Sequence, residues 1–348
     1  MISKETMERI GNEIDILCNV DVNYQNVVQY LLKAAKEKAT GSVTAAAARL
    51  LGKVLNKGDV GIIVTGFPLL DWLPGTECIA ETDGPPGAAV LARAIDKGFD
   101  AIPIIVSTAS MAKYCEGSCH GVGFIVTNLE RALRSKPSPN AFATSVTAFP
   151  TEENEAQRSA EELIDRLKPK VLIAVEQPGS NEKGVFHFSN GGRIAPKFVA
   201  KADVLFKEAK SRGIATIGIG DRGNELGMAN IKDTIKRDVP FGSKCICSCQ
   251  GGIAASTEVD LLVSAAISNW GAYGIAAAVS SLSGKHEAFP SANVVRGALD
   301  GCVRVGSGDG STGIVESTED GVSIDASMGL LAMMKSVVDW AEKTTETF

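Results

Sequence analysis

A chain of 348 residues with 45% hydrophobic and 22% charged residues has a globular composition, which excludes disorder as its main state and allows a large buried core. Its 35 Lys and Arg against 41 Asp and Glu leave a net charge of −6 without a long basic stretch, so neither nucleic acid nor an anionic membrane is an expected partner. No apolar run reaches bilayer length, and Met1 to Glu13 lacks a signal-peptide core, so a cytoplasmic protein is expected.

The pattern along the chain alternates strand and helix. Asp59–Gly66 is a β-branched run that reads as a buried strand, and Gly87–Lys97, entered through Pro85-Pro86, reads as a helix. Ile102–Ser107, Gly123–Thr127 and Ala143–Phe149 read as further strands. Thr151 is the expected cap of a helix running to Leu167 before Pro169. Val171–Val175 is a strand, Pro196–Arg212 a helix stopped by Gly213, and Ile214–Ile219 a strand. Glu258–Val279 has helical periodicity and predicts a long helix or a helix pair broken near Asn269–Gly274. Ser256 or Thr257 would be its cap. The runs at 314–317 and 322–325 suggest a hairpin, and Met328 to about Lys343 a closing helix.

This order implies a single α/β domain over 1–348. A mainly parallel or mixed sheet would carry helices on both faces. It would have an N-terminal helical segment (1–57), a core (58–284) and a C-terminal extension (285–348). The apolar 253–279 region is either core or the contact of a homo-oligomer.

Ligands of open parallel sheets bind beyond the carboxyl ends of the strands, so residues just after strands are the candidates. Glu81 and Asp83 precede a Pro-Pro turn, and the Gly87 and Ala88 amides of the following helix could receive an anion. The plainer alternative makes Asp83 a cap for that helix. Gly218 to Gly223 has the form G-x-G-x-x-G, but Asp221 and Glu225 would repel a pyrophosphate. A turn aiming Asp221, Asn224 and Glu225 into one pocket, to ligate a hard cation or grip an amino group, fits better. Glu176 directly follows a strand, and Arg193 could clamp a substrate carboxylate or form a surface ion pair. Asp260 would serve a helix start or enter the site. The S-N-W-G-A-Y-G run at 268–274 places Asn269 and Trp270 beside two glycines that weaken a helix, which close approach of backbone or ligand would explain. Trp270 as ordinary core is the alternative.

Eight cysteines in a chain of this kind are expected to be reduced. The C-x-C-x-C run at 245–249 admits a metal cluster. Without a second set of Cys or His at ligand spacing, a strand of small buried residues is the favoured reading. His120, His187 and His286 are isolated, which disfavours His-based nucleophilic chemistry.

Three blocks in order, E-T-D-G-P-P-G-A, G-I-G-D-x-G-N-E-L-G-M and S-N-W-G-x-Y, resemble the D-glutamate cyclase family over roughly Gly58 to Gly284. Arg222, Ala229 and Ala272 stand where that family commonly has Gly, and Gln177 where it commonly has Arg. The resemblance implies a hydro-lyase closing D-glutamate to 5-oxo-D-proline with loss of water, without nucleotide or redox cofactor. For that reaction Asp83, Glu176, Asp221 and Glu225 are the expected catalytic residues, and Glu81, Gly87, Ala88, Arg193, Asn224, Asn269 and Trp270 the expected substrate contacts. Several acids around a dianionic substrate would repel it. A Mg²⁺, Mn²⁺ or Ca²⁺ on Asp83, Asp221 and Glu225 would remove that objection. A hydrolase or lyase of a related lactam or amino-acid derivative, and a non-catalytic acidic amino-acid sensor, are the rival readings.

Overall fold

The computed structural model describes residues 2–69, 78–136 and 141–345. Residues 70–77, expected to form part of a long loop, lie outside it.

Three helices open the chain: α1 (Lys4–Cys18), α2 (Val28–Ala39) and α3 (Val43–Val54). The alternating region follows as β1 (Val60–Thr65), α4 (Pro85–Phe99), β2 (Ile102–Ser107), α5 (Ala112–Gly121), β3 (Ile125–Val126), α6 (Leu129–Leu133), β4 (Ala143–Ala148), α7 (Glu153–Leu167), β5 (Val171–Val175), α8 (Ala202–Ser211), β6 (Ala215–Gly220), α9 (Lys232–Asp238), β7 (Leu261–Ser264) and α10 (Ser268–Ser283). Helix α11 (Ala292–Arg304), the antiparallel pair β8 (Thr318–Glu319) and β9 (Val322–Ser323), and α12 (Ile324–Thr345) complete it.

Seven strands form one parallel sheet in the order β3-β4-β2-β1-β5-β6-β7. Every residue of β1, β2 and β5 is buried, as expected for continuous V-G-I-I-V, I-P-I-I-V and V-L-I-A-V runs covered on both faces. From β1 the chain runs outward to β2 and the edge strand β3, inserts β4 between them, then returns to place β5 on the other side of β1. The β1/β5 boundary is therefore a topological switch point, where a crevice opens outside the carboxyl ends. Thr65 lies beside Val175 there, and Val175 beside Ile219.

Several local expectations need correction. The 258–279 run is not a helix pair broken at 269–274. It is strand β7 followed by α10, which starts at Ser268. A buried strand and a buried helix share an apolar composition, which hid the boundary. Thr257 caps no helix; its hydroxyl donates to Asp203 Oδ1 (2.6 Å). Asp260 accepts from the Thr216 amide and hydroxyl at the amino end of β6, far along the strand from the crevice. Helix α8 begins at Ala202, after a short 3₁₀ turn at Pro196–Phe198. Glu152, not Thr151, precedes α7. The hairpin exists, but its first strand is Thr318–Glu319 rather than 314–317. Helix α10 is buried along almost its whole length, so the 253–279 region is core.

The N-terminal helices brace the β7–α10 junction. Asp15 of α1 accepts the Val43 and Thr44 amides at the start of α3 (3.0 and 3.1 Å), and Asn19 Nδ2 donates to the Ser264 carbonyl (3.1 Å). On the other side, α5 and α11 cross through facing glycines. A Cβ on Gly121 would lie 1.8 Å from the Gly297 carbonyl oxygen, and one on Gly301 2.2 Å from that of Gly117. Backbone cannot yield as a side chain can, so Gly297→Ala should cost about 1–3 kcal/mol in urea denaturation. Gly329→Ala at an exposed position of α12, where an added Cβ meets nothing within 4 Å, should instead be neutral or stabilising.

Candidate active site: buried carboxylates at the switch point

The loops leaving β1, β5 and β6 deliver acids to one place. Ligand oxygens of Asp83, Asp221 and Asp320 lie within 4.8 Å of one another, and so do those of Glu176, Asp221 and Glu225. The predicted trio Asp83, Asp221 and Glu225 is thus split between two groups that share Asp221. All five acids are buried, as is Glu81.

Asp83 and Asn269 tie the site together. Asp83 does serve a helix start, but that of α10 rather than of its own α4. Its Oδ1 accepts the Asn269 amide (2.7 Å) and its Oδ2 the Ser268 amide (2.9 Å). Asn269 Oδ1 in return accepts the Gly84 and Gly87 amides at the start of α4 (2.9 and 2.7 Å). Each helix thus supplies the acceptor for the other's otherwise unpaired amides. Asn269 Nδ2 donates to the Thr82 carbonyl (2.9 Å) and to Glu319 Oε1 (2.8 Å). Gly87 closes this contact because a Cβ there would sit 2.5 Å from Asn269 Oδ1.

Glu176 follows β5 directly in a left-handed backbone conformation (φ 43°), unusual for a residue other than Gly and of a kind that collects at functional sites. Its Oε2 accepts the Ser268 hydroxyl (2.5 Å). Glu225 Oε2 accepts the Gly223 amide (2.8 Å), while its buried Oε1 has no hydrogen-bond partner among the described residues. Arg222 reaches across to Asp320 Oδ2 (3.0 Å) and lies 4.0 Å from Asp221.

The C-terminal extension closes the site. Glu319 takes the Tyr273 hydroxyl (2.6 Å), the Asn269 amide group and the Ser327 hydroxyl. Asp309 folds the preceding loop by accepting the Ser311 and Gly321 amides (2.9 and 2.7 Å). Glu319, Asp320 and Arg222 were not among the predicted site residues. Their sequence signals were weak: a T-E-D-G turn after the matched core, and an Arg at a position read as a departure.

Some expected substrate contacts are otherwise engaged. The Gly87 amide is spent on Asn269 and the Ala88 amide on the Gly84 carbonyl (2.8 Å), so neither is free to receive an anion. Trp270 is core, its indole N–H donating to Ser327 Oγ (3.0 Å). Arg193 is exposed on a loop whose backbone pairs with His187, so the guanidinium of the cluster is Arg222 instead. Asn224 Nδ2 donates to the His187 carbonyl (2.9 Å), making it a brace for its turn.

Burial, and then neighbouring negative charge, pushes Glu81, Asp83, Glu176 and Asp221 well above the usual carboxylate range. Glu225 is raised by burial against the pull of the Gly223 and Arg222 amides. Burial opposes the charge of Arg222, but Asp320 and Asp221 outweigh it and hold the guanidinium protonated. Acids raised in the folded state bind more protons there than in the unfolded chain. Their contribution to stability is therefore present at low pH and is lost as pH rises towards their folded values. With Mg²⁺, Mn²⁺ and Ca²⁺ withheld, the thermal midpoint should fall between about pH 5 and about pH 8, and Asp221→Asn should flatten that fall. A midpoint with the same pH slope in both proteins would contradict this.

The donor set suits a hard divalent cation: carboxylate oxygens, one of them on Glu225 without a partner. Among the described residues no helix is long and apolar enough to cross a membrane. A family model described as D-glutamate cyclase-like, C-terminal, matches residues 14–335. The human protein "D-glutamate cyclase, mitochondrial" is 27% identical over 224 residues, covering 63% of this chain and 32% of its own length, so the chain corresponds to about a third of that relative. With the motif blocks gathered at one crevice and the match spanning nearly the whole chain, this protein belongs to the D-glutamate cyclase-like family, matching its C-terminal domain.

Proposed function

We propose that this chain is a hydro-lyase that closes D-glutamate to 5-oxo-D-proline at the switch-point carboxylates. The supporting observation is the burial of many acids around one guanidinium at the sheet's carboxyl edge. A merely structural cluster would not need so many like charges, each costly to bury.

The reaction joins the α-nitrogen to the γ-carboxyl carbon, breaks one of that carbon's C–O bonds and releases water. It needs a base for the amine proton, neutralisation of the attacked carboxylate, and an acid for the departing hydroxide. Glu81 and Asp83, which burial and then neighbouring negative charge raise well above the usual carboxylate range, suit the acid's role. Protonation also lowers their repulsion of a dianionic substrate. An ionised neighbour in the same cluster takes the amine proton, since acids that press on each other ionise in turn rather than together. Arg222 offers a planar pairing surface for a substrate carboxylate, with Asp320 as its resting partner. Glu176, Asp221 and Glu225 would hold a Mg²⁺, Mn²⁺ or Ca²⁺, which when bound supplies charge neutralisation at the attacked carboxylate. The Asp83–Asn269 brace keeps the two sides of the crevice in register. A folded substrate conformation bound there would gain from orientation. A small acidic amino acid is the partner in this reading, and the negative chain leaves nucleic acid out of it.

Purified protein incubated with D-glutamate and each divalent cation should yield 5-oxoproline by mass spectrometry. Asp221→Asn should lower the rate by a factor of about 100 or more. Tight binding of D-glutamate by calorimetry without product would favour a sensor. Turnover of another lactam or amino-acid derivative alone would favour the related hydrolase or lyase.

A further inference from the structure

The C-x-C-x-C run does not form the favoured strand. In a strand, side chains two residues apart on one face sit roughly 7 Å apart. Here Cys245 Sγ lies 3.5 Å from Cys247 Sγ and 3.3 Å from Cys249 Sγ. The segment curls, and His187, distant in sequence, meets it: its Nε2 lies 3.3 Å from Cys247 Sγ and 3.5 Å from Cys249 Sγ. All four ligand atoms fall within 4.8 Å of one another. This histidine is the second ligand set that spacing along the chain failed to disclose.

We infer that His187, Cys245, Cys247 and Cys249 form a tetrahedral Cys₃His zinc site. A zinc with bonds of about 2.3 Å to sulfur and about 2.0 Å to nitrogen sets its ligand atoms roughly 3.5–3.8 Å apart, close to the separations here. Soft thiolates with one imidazole favour zinc over the hard cations suited to the carboxylates. Four protein ligands leave no open position, which is the pattern of a structural rather than a catalytic zinc.

The surroundings are built for sulfur ligands. The Gly251 amide and Asn181 Nδ2 point at Cys249 Sγ (3.4 and 3.5 Å), as donors do around metal-bound thiolates. Gln250, in a left-handed conformation (φ 51°), returns its side chain to the Cys245 and Cys247 carbonyls (3.1 and 2.8 Å) and holds the curl. The segment between α9 and β7 has no helix or strand of its own, so a metal would replace the missing backbone ladder. It is wired to the carboxylate crevice. The Asn224 side chain holds the His187 carbonyl, the Ala255 amide donates to the Gly223 carbonyl (3.0 Å), and Pro178 pairs with Glu225. The zinc thus fastens the turn that carries Asp221 and Glu225.

The test is metal analysis of the purified chain. About one zinc per chain is expected. Replacement by Co²⁺ should give the intense visible bands of tetrahedral cobalt together with thiolate-to-cobalt charge transfer. Cys247→Ser and Cys249→Ser should each lose most of the zinc and the charge-transfer band, while Cys115→Ser should keep both. Should the serine variants fail to fold, the cobalt spectrum of the unmodified chain decides. Absence of zinc, with none taken up by reduced protein on addition of Zn²⁺, overturns the inference. So does a stable disulfide among the three cysteines in protein purified under reductant, or zinc retained in the double variant Cys247→Ser/Cys249→Ser. None of these readouts depends on turnover of D-glutamate, so this inference and the proposed reaction stand or fall separately.

Discussion

Concentrating carboxylates inside a protein is the constraint that shapes this molecule. Each acid loses hydration on burial, and each pushes on the next, so the cluster tends to spring apart. What opposes this is a fixed set of donors. Asp83 receives two amides from α10, Glu225 receives amides from its own turn, Glu319 receives an amide and two hydroxyls, and Asp320 faces Arg222. The exchange between Asp83 and Asn269 is central because it joins the starts of α4 and α10. Remove Asp83 and the start of α10 is left with two buried amides unpaired; remove the Asn269 side chain and the start of α4 is.

The sheet topology explains why the cluster sits where it does. A parallel sheet that winds both ways from β1 leaves a gap between the loops above β1 and β5, and that gap must be lined by the residues following those strands. Thr65, Val175 and Gly220 end their strands side by side, so Glu176 and Asp221 emerge beside the returning loop that carries Glu81 and Asp83. The C-terminal hairpin then covers the opening with Glu319 and Asp320. The N-terminal helices press on β7 and α10 from behind, fixing the end that Asp83 caps. Fold and chemistry therefore share the same contacts, and the site cannot be loosened without loosening the core.

The turn at 221–225 joins two environments of different softness. On one side are carboxylate oxygens suited to hard cations. On the other, through Asn224 and the His187 carbonyl, are three thiols and an imidazole suited to zinc. Under the two proposals, separating the donors by kind would let each region select its own ion, because affinity order alone would not distinguish them.

The chain's own pattern determined the strands and most helices around the sheet. Their apolar runs and punctuating Gly and Pro carry the period of the backbone in local form. It also marked Glu176 and Asp221, which directly follow buried strands, Glu225 in the Gly-rich turn after β6, and Glu81 and Asp83 ahead of the Pro-Pro entry to α4. It did not separate β7 from α10, because both are buried and the stretch joining them is largely apolar. Which acids share a group, the engagement of the Gly87 and Ala88 amides, the choice of Arg222 over Arg193, the arrival of Glu319 and Asp320, and the meeting of His187 with three cysteines were decided by tertiary structure. All but the Ala88 contact join residues far apart in the chain, and only packing sets the distances on which coordination and ion pairing depend.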